Sequence, residues 1–435
     1  MKSRKLKGTR RRATIIGAAA VSVVAGAALL PNWMAGAAVV DDPKVDAKTK
    51  ATFQRLADAV FTDRTDALVT GKQGNSAKPL TKNFSGGVRM SSGQAHKQDS
   101  ALSTLDQRKD LLAKLGEKYS KGSTTVTLDA TNVKGRTAKA AVTETTTLTY
   151  AKVRGNEPKT TGFQAHHELT FTADSHGNWQ LTGIKETDTG YLAVNQVANP
   201  AANPAVKASP SPTGKATAKA SATPTVKASA SPTVKASASP TVKASASPTT
   251  ADTTTPDAPR AATTRPAPAN PKSFTGTTYD YKAMAAYAEK YWSTYNTDYP
   301  DYNGHGDGGD CTNFVSQSLK AGGWKHVPGY VYDYTKWFGN ADIQSDSFVG
   351  VNEFSWFAQN SKRVTPLANV YQADIGDVIQ MDFDKDGSKD HSMIVTYRSP
   401  DGVPYVTYHS TNTFRRSVAS LVASYPNAAF YAYRT

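Results

Sequence analysis

The chain has 435 residues, of which 38% are hydrophobic, and carries a formal net charge of +15. The length allows two or three domains, but the hydrophobic fraction lies below the roughly 45 to 50% that is usual for globular proteins, so part of the chain is expected to stay unpacked. The single cysteine, Cys311, excludes an intramolecular disulfide framework and a four-cysteine zinc site.

The positive charge is concentrated in two segments. Residues 1–13 contain seven Lys and Arg and no acidic residue, and residues 200–272 contain nine Lys and Arg against two Asp. These segments account for all but one unit of the net charge, so the rest of the chain is close to neutral. We therefore expect no nucleic-acid partner.

An apolar run follows the first basic segment, from Ala13 to Leu30, and ends in the small-residue string Ala35-Gly36-Ala37-Ala38. This layout is typical of a secretory signal peptide, which we assign to residues 1–38. An uncleaved membrane anchor is the alternative, but a run made mostly of Ala and Gly inserts weakly. We expect a secreted protein, extracellular or associated with the cell wall, without a stable membrane span after cleavage.

The second basic segment, residues 200–272, consists mainly of Ala, Ser, Thr, Pro and Lys. An eight-residue unit that begins at Ser231 recurs from Ser239, with partial copies on both sides. Regular prolines block helix and sheet, and few large apolar residues are present to form a core. The sequence predicts a disordered, extended linker whose lysines can contact an anionic envelope polymer.

The region before the linker, residues 39–199, changes from a helical to a strand pattern. Apolar residues from Phe53 to Phe61 and from Leu102 to Tyr119 fall at helical spacing. Alternation then predicts strands around Ala138–Val142, at 167–172 and at 179–184. We expect an α+β domain with helices on a curved antiparallel sheet, and its role stays open between binding, spacing and autoinhibition.

The third region, residues 273–435, contains the cysteine in a segment that begins Gly308-Gly309-Asp310-Cys311. Glycines before the cysteine and Gly322-Gly323 after it predict a helix that begins at or next to Cys311. A helix amino terminus favours a thiolate, so we expect a lowered thiol pKa. Its free backbone amides can also bind an oxyanion.

Two histidines downstream are candidate partners of this thiol. His391 begins an apolar β-rich run, and His409 follows the next such run, with Asn412 close behind. The two runs predict a hairpin that brings His409 or Asn412 near His391. A nucleophilic cysteine needs such a base and a group that orients it.

Four segments together carry a resemblance: Asp310–Gln317, Ala321–Trp324, Gly376–Gln380 and Asp390–Ser392. They resemble the amidase domain family of bacteria, which is similar to the CHAP and NlpC-type cell-wall hydrolases of papain-like fold. The resemblance covers residues 275–435.

The resemblance implies that Cys311 is the nucleophile, His391 the base and His409 the orienting residue, with Asn412 as the alternative third residue. Tyr302 and His305 are candidate oxyanion donors, and Asp310 is a candidate for orienting the histidine. A carboxylate beside the nucleophile would, however, raise the thiol pKa.

The predicted function is a secreted, monomeric cysteine amidase that hydrolyses amide bonds in peptidoglycan. A catalytically inactive wall-binding or adhesive module and an acyl transferase with the same nucleophile are the alternatives. No cofactor is expected. Alternating carboxylates at Asp382, Asp384, Asp386 and Asp390 resemble the first half of a calcium loop, but Met393 replaces the final glutamate, so a plain acidic turn is favoured.

Overall fold

The computed structural model describes residues 45–71, 88–153, 155, 157–188, 193–197, 255–303 and 309–435. The predicted signal peptide and residues 200–254 of the predicted linker lie outside this part of the chain. Over the described ranges, no helix combines the length and the apolar character needed to cross a membrane.

The amino-terminal region contains two long helices, each started by a side chain that caps it. In α1 (Ala47–Ala67) Asp46 accepts a hydrogen bond from the amide of Thr49, and in α2 (Ser92–Lys114) Ser91 accepts one from the amide of Gln94. The strands of this region are β1 (Val88–Met90), β2 (Tyr119–Lys134), β3 (Thr137–Tyr150), β4 (Thr160–Ala173) and β5 (Trp179–Glu186). Strands β2 to β5 are antiparallel neighbours, as the sequence predicts, and β1 adds a parallel edge.

The apolar face of α1 packs on this sheet. Phe53 stacks on Phe171 of β4 with ring centroids 3.7 Å apart, and both side chains are fully buried. Tyr119 was expected on the second helix but begins β2 instead. The helix ends because Gly116 adopts a φ of +82°, a left-handed conformation that glycine tolerates and that stops helices.

The carboxy-terminal region folds around six further antiparallel strands. Its helices are α3 (Tyr281–Tyr291), α4 (Cys311–Ala321), α5 (Asp346–Val349), α6 (Val351–Asn360) and α7 (Val418–Ser424), with a 3-10 turn at Val370–Gln372. Its strands are β6 (Thr365–Leu367), β7 (Val378–Asp382), β8 (His391–Arg398), β9 (Pro404–Tyr408), β10 (Asn412–Ser417) and β11 (Ala429–Arg434). The predicted helix at Cys311 and the predicted hairpin of β8 and β9 are confirmed.

The two faces of this sheet carry different cores. Side chains such as Ile394 of β8 pack with Phe314 of α4 and Met284 of α3. The neighbouring residues on the strand, Met393 and Val395, belong to a core on the opposite face. This alternation decides which side chains can reach the helix that carries Cys311.

One strand contact joins the two regions into a single sheet. Residues Asn412–Phe414 of β10 pair antiparallel with Gly162–Gln164 of β4. The pairing is possible because β5 covers β4 only from His167 onwards and leaves the start of that edge open. The result is one continuous sheet of eleven strands across the described residues.

The end of the predicted linker is packed, so the prediction of disorder is wrong for residues 255–272. Ala261 is buried and forms an isolated β-bridge with Phe430. Lys272 is buried, and its Nζ lies 2.6 Å from Asp377 Oδ1 and 2.9 Å from the carbonyl of Ile375. Arg434 contacts the other oxygen of Asp377 at 2.8 Å. The low-complexity part of the sequence thus ends in a packed segment, which the ion pair of Lys272 and Asp377 holds to the fold.

We predict that Lys272→Met lowers the free energy of unfolding by about 3 kcal/mol, because Asp377 keeps its buried carboxylate but loses one of two cations. Guanidinium denaturation at neutral pH measures the change. Lys325→Met removes an exposed lysine and is the control, with an expected change below about 0.5 kcal/mol. Equal effects in the two variants would contradict a stabilising role for the buried pair.

Candidate active site

Cys311 is the first residue of α4 and lies against the start of β8. Its side chain is buried, and the backbone amide of Ser392 donates a hydrogen bond to the sulfur. The hydroxyl of the next residue, Thr312, lies 2.9 Å from the hydroxyl of Ser392. These contacts fix the beginning of the helix on one face of the sheet.

Burial makes this thiol less acidic than the helix position alone predicts. The pKa of Cys311 is raised to about 11, chiefly because the thiolate would lose its hydration, and the charge of Asp310 raises it further. Hydrogen bonds from Ser392 and Thr312 act in the opposite direction but are outweighed. The expected lowered pKa is therefore wrong for this state, since desolvation exceeds the effect of the helix terminus.

Asp310, immediately before the cysteine, forms a buried pair with His409. Its Oδ2 lies 2.6 Å from His409 Nδ1, and both side chains are almost completely inaccessible. The other oxygen accepts hydrogen bonds from Asn313 Nδ2 at 2.8 Å and from the amide of Tyr302 at 3.3 Å. The carboxylate thus has three donors around it.

Both nitrogens and a ring face of the His409 imidazole have contacts. Its Nε2 lies 2.8 Å from the carbonyl oxygen of Tyr291, and its ring stacks on Phe314 with centroids 4.0 Å apart. A carbonyl oxygen only accepts, so Nε2 donates to Tyr291, while Nδ1 faces the carboxyl group of Asp310. Both nitrogens of the ring therefore have buried partners.

His391 lies at the start of β8 but points away from α4. Because adjacent residues on a strand face opposite sides, His391 leaves the sheet opposite to Ser392. Its ring is edge-on to Tyr408 with centroids 4.9 Å apart. Burial, together with the charge of Arg416, lowers its pKa to about 3. The structure therefore brings His409, and not the His391 ring, to the face that carries Cys311.

The remaining predicted site residues are divided between the site and its surroundings. Asn412 accepts a hydrogen bond from the hydroxyl of Tyr295 at 3.0 Å, and the ring of Tyr295 lies against His409. Tyr302 contributes its backbone amide to Asp310, whereas its hydroxyl donates to Gln344. His305 lies outside the described residues.

Sequence reasoning missed the aromatic contacts of the histidine. The rings of Tyr295 and Phe314 and the backbone carbonyl of Tyr291 surround His409, but in the sequence these residues look like ordinary core aromatics. Phe314 follows Cys311 by three residues and therefore lies on the same helix face, which is the one available signal.

The acidic loop between β7 and β8 is a tight turn. Asp382 is buried and accepts hydrogen bonds from the amides of Lys385 at 2.6 Å and Gly387 at 3.1 Å, while Asp390 accepts from Phe383 at 2.8 Å. Oxygens of Asp382, Asp384 and Asp390 lie within 4.8 Å of one another.

Burial and the neighbouring acids raise the pKa of Asp390 to about 6. Asp386 accepts from the amide of Ser388, so the carboxylates serve the turn itself.

Comparison with known proteins finds a family match over the region that contains this site. Residues 278–433 match the family described as "Putative amidase domain". The chain is 32% identical over 138 residues to "Uncharacterized protein YhbB" of Bacillus subtilis (strain 168), covering 30% of this chain and 42% of that protein. It is 33% identical over 144 residues to "Uncharacterized protein YjcM" of the same organism, covering 31% of each chain. The chain thus spans less than half the length of these relatives.

Among solved structures, the intermembrane space region of chloroplast protein ARC6 is similar at 13% identity and a TM-score of 0.22. The likeness covers 33% of this chain and 98% of that one. The family match supports an amidase-type hydrolase in the carboxy-terminal region.

We predict slow alkylation of Cys311 at neutral pH. With a pKa of about 11 against about 8.5 in the unfolded chain, the folded thiol should react with iodoacetamide on the order of 100-fold more slowly at pH 7. The rate should rise about tenfold per pH unit up to pH 10. The guanidinium-unfolded protein provides the reference rate, and Cys311→Ala provides the unlabelled control. Equal rates in the folded and unfolded chains would contradict the buried, protonated thiol.

Proposed function

We propose that residues 278–433 form a cysteine amidase that hydrolyses amide bonds in peptidoglycan. The observation that carries the proposal is the position of Cys311 at the first residue of α4, with the Asp310–His409 pair beside it. The match to the amidase domain family supports the reaction type. The resemblance to papain-like cell-wall hydrolases supports the use of a thiol.

The proposed chemistry takes His409 as an imidazolium, which can donate to both Asp310 and the carbonyl of Tyr291. When the thiol loses its proton to solvent, the thiolate and the imidazolium of His409 form the reactive pair. Sulfur then attacks the amide carbonyl carbon, and the backbone amide of Ser392 is a candidate donor to the oxyanion. His409 gives a proton to the nitrogen as the carbon–nitrogen bond breaks, which releases the amine and leaves a thioester.

Hydrolysis of the thioester uses the same groups in reverse. The now neutral His409 takes a proton from water, whose oxygen attacks the thioester carbonyl. The acid leaves, and the thiolate and the imidazolium are restored. His409 Nε2 must leave the carbonyl of Tyr291 to act in these steps, and Asp310 keeps hold of Nδ1 meanwhile. The described state is therefore a resting state of the proposed enzyme.

The predicted export signal and the charge support a substrate outside the membrane. The basic and apolar beginning of the chain has the layout of a secretory signal, and the lysines between residues 207 and 243 suit an anionic envelope polymer. Peptidoglycan is the amide-rich polymer in that location. The proposal places the protein outside the cell, at the wall.

A specific observation favours a second candidate, a wall-binding module without catalysis. The thiol is 4% exposed and its pKa is raised, and both nitrogens of His409 have partners. A protein of this fold that has lost its catalytic activity would show the same buried thiol and the same bonded histidine. An acyl transferase differs only in the acceptor, since an amine would replace water at the thioester.

We predict that the purified chain releases amino groups from peptidoglycan and that Cys311→Ala does not. Mass spectrometry of the released fragments identifies the bond, and an added amine distinguishes transfer from hydrolysis. If a folded wild-type chain binds peptidoglycan without cleaving it, and alkylation of Cys311 leaves binding unchanged, the wall-binding module replaces the amidase.

A second pair of variants tests which histidine acts on the thiol. We expect His409→Gln to lower kcat by at least about 100-fold, because general acid–base catalysis contributes roughly that much. His391→Gln should retain most of the activity, because its ring lies on the other face of the sheet. Steady-state kinetics with melting temperatures for both variants make the comparison. The reverse order of effects would assign the base to His391, as the family resemblance implies.

A further inference from the structure

The amino-terminal region holds the strand that leaves the candidate active site. Gly162–Gln164 of β4 pair with Asn412–Phe414 of β10, which begins three residues after His409. About 250 residues separate the paired segments along the chain, so the contact is not a consequence of chain connectivity.

Side chains of the same region reinforce this pairing. The hydroxyl of Thr161 donates to the carbonyl oxygen of Phe414 at 2.9 Å, and the hydroxyl of Tyr150 donates to the carbonyl oxygen of Arg415 at 3.2 Å. At the end of β10 the hydroxyl of Ser417 donates to Glu117, a buried carboxylate that also accepts from Tyr119 at 2.6 Å. The strand is therefore held at its beginning, its middle and its end.

The turn between the histidine and this strand has an unusual backbone. Ser410 and Thr411 both have φ values of +65°. Residues with a Cβ rarely adopt this left-handed conformation, and two in succession are rarer still. Such a turn persists only where the structure on both sides fixes it. Here those sides are the bonded ring of His409 and the paired start of β10.

A second route connects the strand to the histidine. Asn412, the first paired residue of β10, accepts a hydrogen bond from the hydroxyl of Tyr295, and the ring of Tyr295 lies 4.3 Å from that of His409. The same hydroxyl accepts a hydrogen bond from Asn303 at 2.9 Å. A shift of Asn412 would therefore move the aromatic wall of the imidazole.

From these contacts we infer that the amino-terminal region is a positioning element of the amidase site, and that Tyr150 and Thr161 are positioning residues for His409. The inference rests on the proposed function for its kinetic consequence. By pairing with β10, the region fixes the turn at Ser410–Thr411 and so the orientation of the imidazole. It acts through the strand and does not touch the substrate.

The test uses the full chain with the double variant Tyr150→Phe and Thr161→Val, which removes two hydroxyl contacts and little volume. Thr172→Val is the control. Thr172 lies on β4, as Thr161 does, but its hydroxyl bonds to Thr182 and not to β10. We expect the double variant to lower kcat on the order of tenfold with KM nearly unchanged, since it removes two of the side-chain hydrogen bonds that hold β10. The control should match the wild type.

A readout without catalysis separates this inference from the proposed function. NMR of the His409 imidazole, assigned with His409→Gln, and amide exchange at Asn412–Phe414 should change in the double variant and not in Thr172→Val. If the wild type is inactive but these signals change, the proposed function fails and the positioning role stands.

Two results would overturn the inference. One is a folded double variant with unchanged kcat, ring signals and amide exchange. The other is a rise in activity, which would make the amino-terminal region a restraint on the site. If the double variant does not fold, each single variant is measured in the same way.

Discussion

The buried pair of Asp310 and His409 is the interaction on which the candidate site depends. A carboxylate that is removed from water needs compensation by donors or by a cation. Asp310 has such partners, because Asn313 and the amide of Tyr302 donate to one oxygen while Nδ1 of His409 lies 2.6 Å from the other. The pair joins the start of α4 to the end of β9. Since Cys311 directly follows Asp310, the position of the sulfur is fixed by the same contact.

The same interaction also explains why the thiol is protonated in this state. Tight packing around the pair excludes water from Cys311, and the negative Asp310 opposes a second negative charge next to it. Both nitrogens of the His409 ring already have partners, which are Asp310 and the carbonyl of Tyr291. A substrate that displaced the Tyr291 contact would free the proton of Nε2 for the leaving group. Exclusion of water would then strengthen the electrostatic attraction inside the site.

The sequence predicts local features of this protein well and long-range ones poorly. The start of α4 at Cys311 and of β8 at His391 follow from glycines and alternation, which act over a few residues. The face taken by His391 depends on the register of β7 and β8, where Met381 pairs with His391 and Gln380 with Ser392. No local pattern specifies that register. The prediction of a lowered thiol pKa is wrong for a related reason. A helix terminus is visible in the sequence, whereas burial is a property of the whole fold.

The pairing of β4 with β10 also changes what the low-complexity segment can do. If two domains were joined only by a tether, its length would set the distance between them. Because Gly162–Gln164 pair directly with Asn412–Phe414, the position of β10 is set by hydrogen bonds between strands and not by a distance along the chain. The orientation of His409 is therefore tied to this contact and not to the number of octapeptide repeats.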